Sequence, residues 1–256
     1  METIVCLKRT PDTTARVRPS ADGKGIDPQG IEWIINPYDE IAVEQAVRIK
    51  EKSGGTVTAV TLDPDANPAI IRKAMAMGVD RGILIHGSAG MDAYAAAKAL
   101  AGAISKQKFD LILCGKQGID DDNYQVPSML AHMLGLPRAT VVVKLEVADG
   151  AVSVHRQIEG GEEVVRLTMP CLVSCQRGLN EPRFPSLKGI MDSKKKPLDV
   201  VKPDAIDATI DVLKIEPPPS RPAGRIVANV NGKSPDEIRS ACRELVRLLK
   251  EEAKVL

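Results

Sequence analysis

The sequence predicts an α/β fold: a doubly wound, mostly parallel, Rossmann-like sheet with an antiparallel hairpin extension and a C-terminal arm and helix. From the first residues to Leu136, short apolar runs alternate with amphipathic stretches of helical length, the pattern of βα units joined by right-handed crossovers. After Leu136, three strand-like runs follow one another across Asp149-Gly150 and Gly160-Gly161, as hairpins do. Beyond Gln176 the periodicity fades and prolines accumulate until a last capped helix.

The chain has 256 residues, 43% hydrophobic and 27% charged, enough for one large core with some appended structure. A formal net charge of +1 gives no general attraction to nucleic acid or to an anionic membrane. Aromatic residues make up 2% of the chain, which leaves few platforms for stacking bases. No apolar run is long enough to span a bilayer, and METIVCLKRT opens in a strand-like segment rather than a signal peptide. The expectation is a cytoplasmic protein with no direct membrane insertion. Cys6, Cys114, Cys171, Cys175 and Cys242 lie mostly in apolar runs, as reduced core thiols do. Cys171 and Cys175 share a strand face without redox or metal spacing, and His86, His132 and His155 are scattered, so no metal centre is expected.

In chain order, Thr3 to Leu7 is the first strand, with Lys8 and Arg9 at its C-terminal end, where α/β folds bind ligands. Arg16 to Arg18 and Gly25 to Asp27 read as the arms of a small hairpin about Asp22-Gly23. A helix begins at Asn36-Pro37 with Asn36 as N-cap, buries Ile41, Ala42, Ala46 and Ile49, and ends at Gly54. Thr56 to Leu62 is the second strand, followed by a helix capped at Asn67-Pro68 and closed at Gly78. Gly82 to Ile85 and an alanine-rich helix from Asp92 to Lys106 complete the next unit.

Asp110 to Leu136 is the most informative stretch. Asp110 to Cys114 is a buried-strand run that Gly115 ends, a polar loop follows, and Pro127, Leu130, Met133 and Leu134 mark a helix. Such a helix aims unpaired N–H groups and the positive end of its dipole at the strand end, where a phosphate can sit. Asp120, Asp121 and Asp122 oppose an anion unless they cap the helix, hold the loop or bind ribose. An acidic, solvated helix start without a ligand fits the same residues.

Thr140 to Val147, Val152 to Ile158 and Val164 to Thr168 form the meander, and Met169 to Ser174 reads as one more central strand. The stretch from Gln176 to about Ala223 lacks a core pattern, yet Leu179, Phe184, Leu187, Ile190 and Met191 are too apolar for a solvated tail, so it reads as an arm or binding segment. Ser234-Pro235-Asp236-Glu237 is a capping box for the final helix, whose stripe of Ile238, Leu245, Leu248 and Leu249 needs a partner surface. No Walker A loop, G-x-G-x-x-G, G-x-S-x-G elbow or Cys/His pair is present, so binding without self-contained chemistry is the better class.

Five segments then act together: VCLKRTPD, INPYDEIAVEQAVRIKEK, AMAMGVDRGI, CGKQGIDDDNYQ and LNEPRFPSLKGIMDSKKKPL. From Met1 to at least Lys202 the chain resembles the beta subunits of the electron transfer flavoprotein family, of the non-bifurcating, AMP-containing type. The resemblance implies an adenine nucleotide alpha hydrolase-like form of the sheet. It also implies a heterodimer with an alpha subunit that holds most of one FAD, and an AMP buried in this chain. By motif, AMP falls to Cys6, Asn36, Pro37, Tyr38, Asp39, Leu62, Gly115, Lys116, Gln117, Gly118, Ile119, Asp120, Asp121, Asp122, Asn123, Tyr124, Gln125 and Val126. Thr13, Gly118 and Gln157 would face the flavin. Leu179, Asn180, Glu181, Pro182, Arg183 and Leu187 would form the docking arm, with Leu187 as anchor in a dehydrogenase pocket. A chain of this kind carries electrons from acyl-CoA dehydrogenases or related flavoenzymes to a membrane quinone oxidoreductase, as in fatty acid oxidation, and is not an enzyme by itself.

The resemblance also implies two parts: a nucleotide-binding α/β domain, residues 1–190, and a C-terminal arm and helix, residues 191–256, packing on the partner subunit. Three positions depart from the family pattern. Gln157 replaces a glutamate that pairs with an arginine of the partner, Val126 replaces a threonine at the phosphate loop, and Thr13 replaces a tyrosine near the flavin ring. A bifurcating branch holds a second FAD in place of AMP. It resembles Asp-Gly-Asp-Thr where this chain has Asp120-Asp121-Asp122-Asn123 followed by Tyr124, so AMP is the expectation here. The alternative of a different class is a flavin-free nucleotide-binding stress or signalling module.

Overall fold

The structure is a computed structural model that describes residues 1–87, 90–203, 206, 208–220 and 223–256. β1 (Glu2–Leu7) leads into an antiparallel ribbon of β2 (Arg9–Pro11) with β3 (Trp33–Ile35), and then α1 (Pro37–Ser53). β4 (Thr56–Asp63), α2 (Ala69–Met77), β5 (Arg81–His86), α3 (Ala93–Ile104), β6 (Leu111–Gly115) and α4 (Val126–Met133) continue the alternation. β7 (Arg138–Ala148), β8 (Ala151–Ile158) and β9 (Gly161–Thr168) form the meander, followed by β10 (Cys171–Cys175), α5 (Leu187–Ser193), β11 (Leu198–Val201) and α6 (Pro235–Glu251).

One sheet takes the order β11-β5-β4-β1-β6-β10-β7-β8-β9. It is parallel from β11 to β7 and antiparallel across β8 and β9, as expected for a doubly wound sheet with a hairpin extension. Side chains alternate between its faces. Val5, Leu113 and Val173 join a core with residues of α1 and α2, while Ile4, Ile112 and Leu172 join one with residues of α3 and α4. Each of the fully buried Ile and Leu side chains contributes roughly 2 kcal/mol by leaving water.

The order places the ligand edge. From β1 the chain lays β4 and then β5 on one side and returns to place β6 on the other, so the order reverses between β1 and β6. A crevice opens beyond the C-terminal ends of the strands at such a reversal.

Three expectations change in detail. The ribbon of β2 with β3 carries no periodic signal and was not expected, and the small hairpin is a single bridge, Pro19 to Ile26. The stretch from Gln176 onward is not patternless throughout. Leu187–Ser193 is helical, and Leu198–Val201 pairs in parallel with β5 as an edge strand. Within that stretch, residues 204, 205, 207, 221 and 222 lie outside the described residues.

Met1–Glu216 form one compact unit and Pro217–Leu256 a second. In the second unit α6 has the expected capping box: Ser234 accepts from the Glu237 amide at 3.4 Å, and Glu237 accepts from the Ser234 amide at 2.9 Å.

Candidate functional site

A cavity of about 330 Å³ lies at the β1/β6 reversal, walled by the C-terminal ends of β1, β4 and β6 and the starts of α1, α3 and α4. Its floor is apolar where Cys6 and Cys114 sit on neighbouring strands. The Cys6 thiol beside it, and then burial, push the Cys114 thiol well above the usual range, so this sulfur stays protonated.

The loop from Lys116 to Gln125 closes one side, and long-range contacts hold it. Asn36 is 1% exposed; its Nδ2 donates to the Gln117 carbonyl at 2.8 Å and its Oδ1 accepts from the Ile119 amide at 3.2 Å. The expectation of Asn36 as a capping side chain is therefore corrected. It occupies the N-cap position, but its side chain makes no cap bond and ties the helix start to the loop. Lys8 Nζ donates to Asp120 at 2.7 Å and to Asp121 at 2.9 Å, and Gln117 donates to Asp122. Burial works against the charge of Lys8, but the two carboxylates outweigh it and raise its pKa. The Lys116 ammonium lies 5.0 Å from the ring centre of Tyr38 and 4.9 Å from that of Tyr124, bridging α1 and the loop.

These contacts answer the objection raised by the three aspartates. None caps α4; they hold the loop. Among the described residues, the amides of Tyr124, Gln125 and Val126 donate to no group of the protein, and Gln117 Oε1 is buried without a partner. Asp122 and Tyr124 have φ of 50° and 60°, a left-handed backbone that costs energy in non-glycine residues.

Asp39 is buried on the cavity wall. Its carboxylate accepts from the Lys8 amide at 2.7 Å and the Gly115 amide at 2.9 Å, joining the ends of β1 and β6 to the first turn of α1. Burial pushes its pKa up to about 7, against the hydrogen bonds from Lys8, Asn36 and Gly115, which favour the anion. Gly115 makes this approach possible: a Cβ there would lie 2.1 Å from Asp39 Oδ1 and 2.9 Å from the Asp39 amide nitrogen.

Of the residues assigned to AMP by motif, Cys6, Asn36, Asp39, Leu62, Gly115, Gln117, Gly118, Asp121, Asn123, Tyr124, Gln125 and Val126 line this one cavity. Pro37, Tyr38, Lys116, Ile119, Asp120 and Asp122 stand behind it as the helix start and the loop supports. Gly118 is at the wall, whereas Thr13, exposed after β2, and Gln157, exposed on β8 and bonded to Gln176 at 3.3 Å, do not line it.

Lys8 and Arg9, expected at the ligand edge from their place after β1, line the wall, whereas Trp33, Asp63, Met91 and Asp92 were missed. Arg9 pairs with Asp63 at 2.6 Å and stacks 4.7 Å from the Trp33 ring centre; Asp92 caps α3 by accepting from Ala95 at 2.8 Å. Asp63 ends β4 and Asp92 begins α3, so the rule placing ligands at strand C-termini would have marked both.

The arm has two kinds of residue. Asn180 is buried, donating to the Ile41 carbonyl and to Gln45, both at 3.1 Å, and Arg183 pairs with Glu44 at 2.8 Å and Glu51 at 2.5 Å. Both hold the arm on α1 and so serve it from beneath. Leu179 packs on the core, the Glu181 carbonyl accepts from Arg48 at 3.2 Å, and Pro182 is half-buried. Phe184 and Leu187, 95% and 78% exposed, stand out into solvent with Met191. No helix among the described residues is long and apolar enough to cross a membrane.

Residues 24–206 match the family model described as electron transfer flavoprotein domain. A Bacillus subtilis protein, electron transfer flavoprotein subunit beta, is 40% identical over all of both chains. The human protein of the same description is 38% identical, over 88% of this chain and 91% of its own. A Syntrophomonas wolfei subunit beta is 41% identical over 88% of each chain.

Proposed function

Because this chain belongs to the electron transfer flavoprotein family, we propose that it is the beta subunit of a heterodimeric electron carrier, completed by an alpha subunit and not an enzyme alone. The observation that carries the finer reading is the cavity at the β1/β6 reversal, where residues from distant segments of the motif meet. We assign AMP to it. Gln117 Oε1 is a buried acceptor in want of a donor, the amides of Tyr124 to Val126 are donors for a phosphate, and each nearby aspartate already has a partner. A volume of about 330 Å³ suits a mononucleotide, and Asp120-Asp121-Asp122-Asn123 followed by Tyr124, where the bifurcating branch resembles Asp-Gly-Asp-Thr, favours the non-bifurcating type.

In this reading AMP is structural, filling the crevice so that the loop and the start of α1 keep one arrangement. FAD, held mainly by the alpha subunit, supplies the uptake and release of electrons when bound. Gly118, Thr13 and Gln157 cover its ring from this side, and Gln157 offers an amide where a glutamate would offer charge. Acyl-CoA dehydrogenases or related flavoenzymes donate the electrons through a contact anchored by Leu187, and a membrane quinone oxidoreductase receives them. One such buried leucine contributes ~2 kcal/mol, suited to a transient grip. The C-terminal arm and helix, residues 191–256, pack on the alpha subunit, and the carrier works in the cytoplasm on fatty acid oxidation.

The test is to purify the chain with its alpha subunit, denature the complex, and count the nucleotides released. One FAD and one AMP per heterodimer supports the assignment. Two FAD and no AMP would move the protein to the bifurcating branch, and absence of flavin would favour a nucleotide-binding module of another kind.

A further inference from the structure

Of the exposed apolar residues of the arm, Leu187, Ile190 and Met191 are carried by α5, a helix of seven residues and too short to persist unless something else fixes it. What fixes it is a crossed pair of cations. Arg72, on α2, donates from Nη1 to the carbonyls of Ser193 at 2.6 Å and Lys196 at 2.7 Å, at the C-terminal end of α5. In return, Lys196 donates from Nζ to the carbonyls of Met75 at 2.8 Å and Val79 at 2.6 Å, at the C-terminal end of α2. Each segment thus supplies a cation to carbonyls at the end of the other, where a helix end is negative. Packing is tight between the two: a Cβ on Gly189 would lie 2.4 Å from the Ala76 carbonyl oxygen. Ser193 is buried, while Leu187 and Met191 face solvent from the same short helix.

We propose that Arg72 and Lys196 are positioning residues that hold α5 in its docking geometry before a partner arrives. The proposal rests on the reading of the arm as a docking segment. Neither cation stands among the exposed apolar residues, so each acts through the helix it holds. A segment already ordered loses little conformational freedom on association, so a small apolar contact suffices for a usable affinity. Burial lowers the pKa of Lys196, which fits an ammonium committed to carbonyls instead of water. Asn180 and Arg183 fix the other end of the arm on α1, so Phe184 to Met191 spans two anchored ends.

The experiment uses the purified heterodimer with its flavin, and an acyl-CoA dehydrogenase as the electron-donating probe. Amide exchange across residues 187–196 is measured with KM and kcat for reduction of the flavoprotein, in Arg72→Gln, Arg72→Lys, Lys196→Met and Leu187→Ala. Arg72→Gln is expected to quicken exchange at Gly189 and Ile190 and to raise KM about tenfold, the scale of re-ordering a segment on binding, with kcat at saturation within about twofold. Arg72→Lys keeps one charged donor and is expected to recover part of both effects. Should Arg72→Gln fail to assemble, Lys196→Met carries the same expectation. Faster exchange with unchanged KM, or unchanged exchange, would overturn the positioning role. If Leu187→Ala leaves KM unaltered, the docking reading fails; if Leu187→Ala raises KM while Arg72→Gln and Lys196→Met do not, only the positioning role does.

Discussion

Replacing Asn36 by alanine tests how the cavity is closed. Asn36 is almost fully buried and makes two bonds to the loop, from Nδ2 to the Gln117 carbonyl at 2.8 Å and from the Ile119 amide to Oδ1 at 3.2 Å. Each such bond contributes about 1 kcal/mol net, and a partner left dry costs about 1–3 kcal/mol. Gln117 and Ile119 are half-buried, so water reaches them in part and the low end applies. The expected loss is about 2–3 kcal/mol, concentrated in the loop. Chemical unfolding measures the total, and amide exchange at Ile119 reports where it falls. With a loop opened by that much, retention of the proposed AMP through gel filtration is expected to weaken by about 30-fold or more. Pro37→Ala, next door without a loop bond, is the control. A loss below about 0.5 kcal/mol with Ile119 exchanging at the parental rate would refute the argument, because that is the range of a bland surface change.

Other expectations follow from neighbouring geometry. Gly115→Ala is expected to prevent folding or cost more than about 3 kcal/mol, since its Cβ meets the Asp39 backbone; Gly118→Ala meets only the movable ends of Asp120 and Lys8 and is expected to fold, and soluble yield with thermal melting separates the two. For Asp39 the folded pKa of about 7 lies above the ordinary 3.8, so its contribution to stability is complete below the lower value and is lost as pH rises through the higher. The loss is on the order of 4 kcal/mol by pH 8, and the stability difference between parent and Asp39→Asn measured from pH 4 to 8 should bend accordingly; a level difference would show an ordinary carboxylate. Arg183→Met leaves the buried Glu44 with Arg48 alone and is expected to cost about 2 kcal/mol in urea unfolding, with the loss reduced to that of the exposed Glu51 pair, below about 1 kcal/mol, in a Glu44→Gln background.

The parts of this protein that were legible in its sequence are those whose signal is local. Buried runs such as Ile4 to Leu7 and Leu111 to Cys114 declare central strands, and Asp149-Gly150, with φ of 50° and 71°, declares its turn because both positions need a left-handed backbone. What escaped lacks a local signal. Trp33–Ile35 and Leu198–Val201 are three and four residues long, and the latter buries so little that only its pairing with β5 makes it a strand. Asn36 misled because its local rule, capping, lost to two bonds with residues 81 and 83 positions away. The aspartates of the loop were ambiguous for the same reason: their partner Lys8 lies 112 and 113 positions distant. The site's motif was readable, while the ion pairs that make its acidity tolerable needed the fold.

The cavity and the arm share α1, and this suggests they are not independent. At its start the helix gives Asn36 and Asp39 to the cavity; along its length Ile41, Glu44, Gln45 and Glu51 hold Asn180 and Arg183. Its 17 residues make a rod of about 25 Å, stiff enough that a shift at its first turn displaces the rest. Lys116, between Tyr38 on the helix and Tyr124 on the loop, joins that first turn to whatever the loop encloses. If AMP fills the cavity, removing it by mild denaturant and refolding without nucleotide should loosen the loop first and the arm second. The expected result is faster exchange at Ile119 and, less strongly, at Arg183 and Ile190, with strands β7 to β9 unaffected, all reversed by adding AMP. Loosening confined to the loop would mean that the strut absorbs the change, and that docking and nucleotide binding are energetically separate.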